Sequence, residues 1–292
     1  MHKFLKSIGF SDIGNKKMEA LLEELVEHPG IVKVTRDSEG NEFAEISRSY
    51  EKNGTFGITV RGTYDENEVF HMDYYYPYVE GFHTTTQEKI DIEKHAEKES
   101  YAGVCDDVRL GVTLIFYVQN VADYLSEQMG RKNPVTGKGA RLAGLSVDGK
   151  IILPVYQSEK AKTTNSTRSD RNQLMAEARE GNEDAIENLT LDDMDTYNRI
   201  SKRMVNEDIL SIVDSTFMPY GIESDQYGIL GTIQELELFE NQITKENIYC
   251  MTIECNDVIF DVCINEKDLL GEPAVGRRFK GNIWMQGWVD LQ

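Results

Sequence analysis

The sequence predicts an α+β protein: N-terminal helices plus an antiparallel sheet, a helical connector, and a small C-terminal β-barrel of the OB or SH3-like kind. Three observations carry this expectation. Residues 15–27 place Met18, Leu21, Leu22 and Val26 at the spacing of one buried helical face. Strand-like runs at 31–36 and 42–50, then at 56–64 and 69–78, flank turn-rich connections of hairpin type. Near the C-terminus, runs at 249–255 and 258–264 flank Asn256-Asp257, and one register matches apolar residues with apolar residues throughout.

Each element follows in order. Residues 2–10 read as a short helix, and Pro29-Gly30 stops the helix over 15–27. After the two hairpins, 109–119 is a strong β run expected as a central strand, and 120–129 reads as a helix. Residues 142–147 and 150–155 flank Asp148-Gly149, a favoured two-residue turn. The domain expectation is therefore an α+β unit over 1–156, a polar linker or loop over 157–170, a helical connector over 171–222 and a barrel over 223–292. Within the connector, Thr190 with Asp193 resembles a capping box, Asn206 is positioned to cap a third piece, and the acids of 192–195 suit a helix N-terminus. The barrel would use strands over 227–239, 249–255, 258–264 and 277–289, with a helical turn at 266–270.

In the 249–264 hairpin, Cys255 faces Val258, Ile253 faces Phe260, Met251 faces Val262 and Tyr249 faces Ile264. The opposite face sets Cys250 across from Cys263 at a non-hydrogen-bonded site, where side chains come closest. A disulfide is geometrically open to them. Four cysteines in 292 residues do not make a disulfide framework, however, and the expectation for a cytoplasmic chain is reduced thiols.

The net charge of −20, from 51 carboxylates against 31 Lys and Arg, opposes non-specific binding to nucleic acid or an anionic membrane. The longest apolar run, 110–118, falls short of the roughly 20 residues that a spanning helix needs. The start, MHKFLKSIGF, has no continuous apolar core of the kind a secretion signal carries. No signature names a cofactor.

Four groups of residues are candidates for function. On the last strand, Arg278, Lys280, Trp284, Gln286 and Trp288 share a face, a pattern that resembles a stacking platform for a sugar or base. Packing of the two tryptophans under the helical segment is the preferred alternative, because a wet indole forfeits roughly 4 kcal/mol. The segment 131–171 carries nine cations and three acids, and Lys138 and Arg141 near its glycines could meet an anion. Its spacing is not that of a P-loop. His71, Asp73 and His83 are residue types that ligate metals, without a third ligand fixed by spacing; a polar edge face is the favoured reading. His95, Glu97, Cys105 and Asp106 form the densest reactive stretch, although no nucleophile motif spaces them.

Four stretches, MHKFLKSIGFSDI, EKESYAGVCDDVRLGVTLIFYVQN, AREGNEDAIENLTLDDMD and GEPAVGRRFKGNIWMQGW, resemble a family of uncharacterised proteins from anaerobic Gram-positive bacteria, described as a domain of unknown function. The resemblance implies a cytoplasmic bacterial protein and supplies no activity, cofactor or catalytic residue. AREGNEDAIENL is also similar to a helix of sigma factors, but the pattern is common and the acidic chain opposes DNA binding. The functional expectation is a non-enzymatic binding or regulatory protein, holding a protein, glycan or anionic ligand on the C-terminal Trp/Arg surface or the basic segment. The alternative is a small-molecule enzyme with chemistry around His95 and Cys105. A purely structural subunit of an assembly is a third reading.

Overall fold

The computed structural model describes residues 2–95, 98–154, 164–179, 181–204 and 209–292. A 3-10 turn at Lys3–Ile8 comes first, ended by Gly9 in the left-handed region. Helix α1 (Asn15–Glu27) buries Met18, Leu21, Leu22 and Leu25, so Leu25 rather than Val26 completes its stripe. Strands β1 (Ile31–Arg36), β2 (Glu42–Ser49), β3 (Phe56–Tyr64) and β4 (Phe70–Val79) form a four-stranded antiparallel sheet in chain order. Directly opposed residues share a face. Ile46, Val60 and Tyr75 line up on one face, and Glu45, Arg61 and Tyr74 on the other.

Next come β5 (Thr84–Thr86), β6 (Asp91–Lys94), β7 (Tyr101–Cys105), β8 (Leu114–Val118), α2 (Val121–Gln128) and β9 (Gly137–Ile152). Helices α3 (Thr164–Arg179), α4 (Glu183–Met204) and α5 (Ile209–Ile212) follow. The chain ends with β10 (Thr216–Pro219), β11 (Gln226–Glu240), β12 (Asn247–Cys255), β13 (Val258–Asn265), a 3-10 turn at Glu266–Asp268, β14 (Leu269–Leu270) and β15 (Arg278–Leu291). Strands β5 to β15 share one mixed sheet in the order β10-β11-β12-β13-β9-β15-β8-β7-β6, with β5 and β14 also paired to β9. Few helices and many strands, in antiparallel and mixed sheets, give the α+β character.

The expectation of a barrel built by 223–292 alone is not met. Strand β9 stands between β13, to which it runs parallel, and β15, to which it runs antiparallel. Because β11 also pairs with β15, the path β11–β12–β13–β9–β15 returns to β11. An apolar core containing Phe116, Ile253, Phe260, Phe279, Ile283 and Met285 lies on one side of this sheet. On the other side a second cluster joins the first 3-10 turn, α1, the four-stranded sheet, Leu145 and Trp284.

Several local expectations are corrected. Asp148-Gly149 is not a turn: β9 continues through it, with Gly149 opposite Gly281. A side chain at Gly149 would bring Cβ to 2.5 Å from the Phe279 ring, so the glycine serves close approach. Residues 109–113 are not strand, because the buried Asp107 carboxylate takes hydrogen bonds from the Arg109 backbone and guanidinium and turns the chain. Residues 164–170, expected as loop, open α3, and 216–219 are strand. Thr190 lies inside α4, where its hydroxyl donates to Ile186 O at 2.7 Å; Asn182 is the cap, accepting from the amides of Asp184 and Ala185. The acids at 192–195 are therefore mid-helix, and Asp193 pairs with Arg171 at 2.6 Å. The expected cap at Asn206 and the loop over 157–163 lie outside the described residues. Among the described residues no helix is long and apolar enough to cross a membrane.

Candidate functional site

The β12–β13 hairpin has the register read from its alternation, from Cys255↔Val258 to Tyr249↔Ile264. Asn256 and Asp257 both take positive φ, 51° and 62°, as a two-residue turn of the primed kind requires. The apolar face enters the core. The opposite face carries Thr252 against Asp261 and Cys250 against Cys263. The thiols expected to be reduced are instead joined: Cys250 and Cys263 form a disulfide, with Cα atoms 4.3 Å apart. The non-hydrogen-bonded pairing supplies that close approach.

A cavity of about 210 Å³ opens over this pair. Its walls come from three directions: Asn53 and Thr55 before β3, the run from Val79 to His83 after β4, and Glu235 to Phe239 on β11. Asp261 is 3% exposed. It accepts a hydrogen bond from the Phe82 amide at 2.7 Å and from the Thr252 hydroxyl at 2.7 Å. Burial pushes its carboxyl above the ordinary value, against the pull of those bonds and of His83. His83 Nδ1 stands 3.8 Å from Asp261 Oδ1 and makes no hydrogen bond. Thr55 is 1% exposed, and its hydroxyl also has no hydrogen-bond partner. Two sequestered polar atoms without partners, both on residues lining one cavity, are unusual in a folded protein. Glu80, Glu235 and Glu237 are exposed along its lining, with Asn53 and Phe82, and among the described residues no Lys or Arg lines the cavity.

The residues singled out in the sequence are not brought together as expected. Trp284 is 6% exposed; its indole donates to Asp225 at 2.7 Å, and its ring lies 5.4 Å from Phe4 and 5.3 Å from Tyr117. Gln286 is fully buried, accepting from Gln119 and donating to Pro77 O. Arg278 is buried and donates to the carbonyls of Leu153, Leu210 and Val213. Trp288 is half-buried between the Lys33 ammonium at 4.4 Å and the Arg141 guanidinium at 5.7 Å. Lys280 is exposed and faces Lys150 and Leu230 across its ladders; Lys138 is exposed, and Arg141 half-buried. The two indoles do not form one open platform: Trp284 is covered by the first 3-10 turn and the four-stranded sheet, and Trp288 is half-buried apart from it.

His95 is exposed just beyond β6, and Cys105 is buried at the opposite end of β7. The register Lys94↔Tyr101 and Asp91↔Val104 puts them at opposite ends of that hairpin, about 16 Å apart at 3.3 Å per residue. Burial also pushes the Cys105 thiol up to about 11, which keeps it protonated. Asp106 is exposed and accepts from Thr113, while Glu97 lies outside the described residues. The Cys–His arrangement is therefore not formed. Of the metal candidates, His71 pairs with Asp65 at 2.9 Å, Asp73 with Lys98 at 3.1 Å, and His83 faces Asp261. Among the described residues no group of three or more ligands gathers. In the basic segment Arg131 pairs with Glu127 and Arg171 with Asp193, so these cations are engaged by the protein's own acids.

Sequence reasoning set Cys250 across from Cys263 and Thr252 across from Asp261, but expected the thiols to be reduced, and it missed Thr55, the role of Asp261 and the cavity. It also missed Arg61, which is buried and donates to Glu45, to the hydroxyls of Tyr74, Tyr76 and Tyr117, and to the carbonyls of Val118 and Gln119. Arg61 has no donor left for a ligand and ties the two sheets together.

No curated protein and no solved structure matches the chain. Residues 5–287 match the family model described as "Domain of unknown function, E. rectale Gene description (DUF3881)", and the chain belongs to that family.

Proposed function

We propose that the protein is a non-enzymatic binding protein that holds a small organic cation, a primary amine, in the cavity over Cys250–Cys263. One observation carries this: among the described residues the Thr55 hydroxyl and His83 Nδ1 lack hydrogen-bond partners in a cavity that also holds a buried carboxylate, Asp261, and whose exposed charged residues are acids. An alkylammonium group offers three N–H donors and a positive charge, which suit the Thr55 oxygen, Asp261 and the exposed acids. Val79, Leu236 and Phe239 offer an apolar wall for its carbon chain. The lining thus favours a cation, where the basic segment suggested an anion and the last strand a sugar or base.

Two finer points belong with this proposal. The returning path β11–β12–β13–β9–β15 is read as a small barrel completed by β9, with the cavity against its outer wall. The protein is placed in the cytoplasm, a setting that suits Cys105 and Cys255, which are unpaired and buried.

Titration calorimetry with alkylamines and with carboxylates of equal chain length tests the ligand class. Amines bind, and added salt weakens them. Thr55→Val and Asp261→Asn each lower amine affinity about tenfold, the equivalent of one lost charge-assisted hydrogen bond. Equal binding of carboxylates, or no binding of any amine, would rule the proposal out.

A further inference from the structure

We propose that the Cys250–Cys263 bond is a redox-active site that exchanges with a low-molecular-weight thiol carrying a positive charge, admitted through the same cavity. The inference rests on the ligand reading for the charge of its partner and goes beyond it in assigning chemistry. Both sulfurs belong to residues lining the cavity, and they are not equivalent: Cys250 is 8% exposed and Cys263 is fully buried. An incoming sulfur therefore meets Cys250. The hairpin does not depend on the bond for its register. Paired positions flank it, Tyr249↔Ile264 on one side and Met251↔Val262 on the other, and the two-residue turn fixes the alignment.

The exchange proceeds in two balanced steps. The thiolate of the small molecule attacks Sγ of Cys250; the S–S bond breaks, and its electron pair leaves with Cys263, which takes up a proton. Asp261 and Thr252 sit one alternation away on the same face, and His83 lies beside Asp261, so polar side chains flank the leaving sulfur. A second thiolate then attacks the outer sulfur of the mixed disulfide and releases Cys250 as a thiolate, which is protonated in turn. Two thiols are oxidised to one small disulfide, and the cysteine pair takes up two electrons and two protons.

Charge selects the partner. Glu80, Glu235 and Glu237 are exposed on the lining and Asp261 is buried in it; among the described residues no Lys or Arg lines the cavity, and Arg141, outside the lining, offsets Glu80 in part. A thiolate with a negative tail is repelled, and an aminothiol is drawn in. The remaining cysteines do not compete: burial pushes Cys105 up to about 11 and Cys255 up to about 12, and both stay protonated.

The test uses the oxidised full chain. Reduction by cysteamine and by 2-mercaptoethanesulfonate is followed by alkylation and mass spectrometry, with rates normalised to thiolate concentration. The same bond in urea-unfolded protein is the reference. The cationic-to-anionic rate ratio in the folded protein exceeds that in urea by roughly tenfold or more, and salt reduces the difference. Replacing Glu80, Glu235 and Glu237 together by Gln brings the ratio back toward the unfolded value. The Cys250→Ser, Cys263→Ser double variant keeps its strand content by circular dichroism. Equal ratios in the two states overturn the proposal. So does a folded-state rate independent of thiol concentration, which marks reduction through global unfolding, or loss of fold in the double variant. Amine binding by calorimetry alongside an unreactive bond sinks the exchange alone and leaves the ligand reading standing.

Discussion

Arg61 has Nε bonded to Glu45 at 2.8 Å and both terminal nitrogens shared among three phenols and two carbonyls. Removing one member of a buried charge pair leaves the other stranded, at a cost of about 3–5 kcal/mol. Arg61→Met is expected to lose stability in that range in urea denaturation, and Arg61→Lys to recover only part, because three donors replace five. A loss below about 1 kcal/mol for Arg61→Met, less than a typical core truncation, would show that the sheets are held otherwise. In the sequence GITVRGTY, Arg61 is legible as a strand residue on a polar face, but the phenols that satisfy it come from β4 and β8, which no local pattern brings together. Asp107 is likewise legible only as an acid near a β run. Burial pushes its carboxyl up, but the hydrogen bonds and charge of Arg109 outweigh this and hold it below the ordinary value. The stabilisation from a lowered carboxyl is present above the unfolded value of about 4 and lost as pH falls through the folded value. Asp107→Asn is therefore expected to lower stability at neutral pH and to flatten the acid limb of a stability-against-pH curve. An acid limb identical to that of the parent would exclude Asp107 as a contributor.

At the scale of elements, two dipeptides that look alike had opposite outcomes. Asn256-Asp257 is a turn because the flanking runs match residue for residue, and this constraint extends through eight cross-strand pairs. Asp148-Gly149 has the better turn chemistry, yet β9 passes straight through it along Arg278↔Ile152 to Leu291↔Gly137. The flanking runs 142–147 and 150–155 lack the extended match that fixes 249–264, so the dipeptide alone was not decisive. The glycine is needed for another reason, the Phe279 ring against it. Gly149→Ala is expected to cost about 1–3 kcal/mol through overpacking, read from the urea midpoint. An unchanged midpoint would mean that Phe279 can move aside. The helix end at Asn182 was legible too: Gly181, at φ 90°, precedes a strong cap residue, while Thr190 drew attention because its neighbours mimic a capping box.

For the whole molecule, the coarse class could be read from periodicity, whereas the connection between the two ends of the chain could not. Strand β9 meets β13 and β14 in parallel, and β15 meets β8 in parallel; such pairings join residues far apart in sequence and leave no local signature. The cavity shares this origin, since its walls come from segments about 50, 80, 236 and 261 residues into the chain. The arrangement makes a prediction about autonomy. In a fragment of residues 214–292, β13 and β15 would each lose the neighbour that β9 supplies, and Phe279, Ile264 and Ile283 would lose the Gly149 and Gly144 surfaces they lie against. Two exposed inner edges and an opened core cost more than a domain's marginal stability of about 5–15 kcal/mol. The fragment is expected to show no cooperative thermal transition and to be digested rapidly by trypsin. A fragment that also carries residues 137–152, joined by a short flexible linker to residue 214, is expected to regain a cooperative transition. If the shorter fragment melts cooperatively on its own, β9 is an addition to a self-sufficient C-terminal unit. If neither does, the four-stranded sheet and the first 3-10 turn, through Phe4, Leu5 and Ile8, are required to cover the outer face around Trp284.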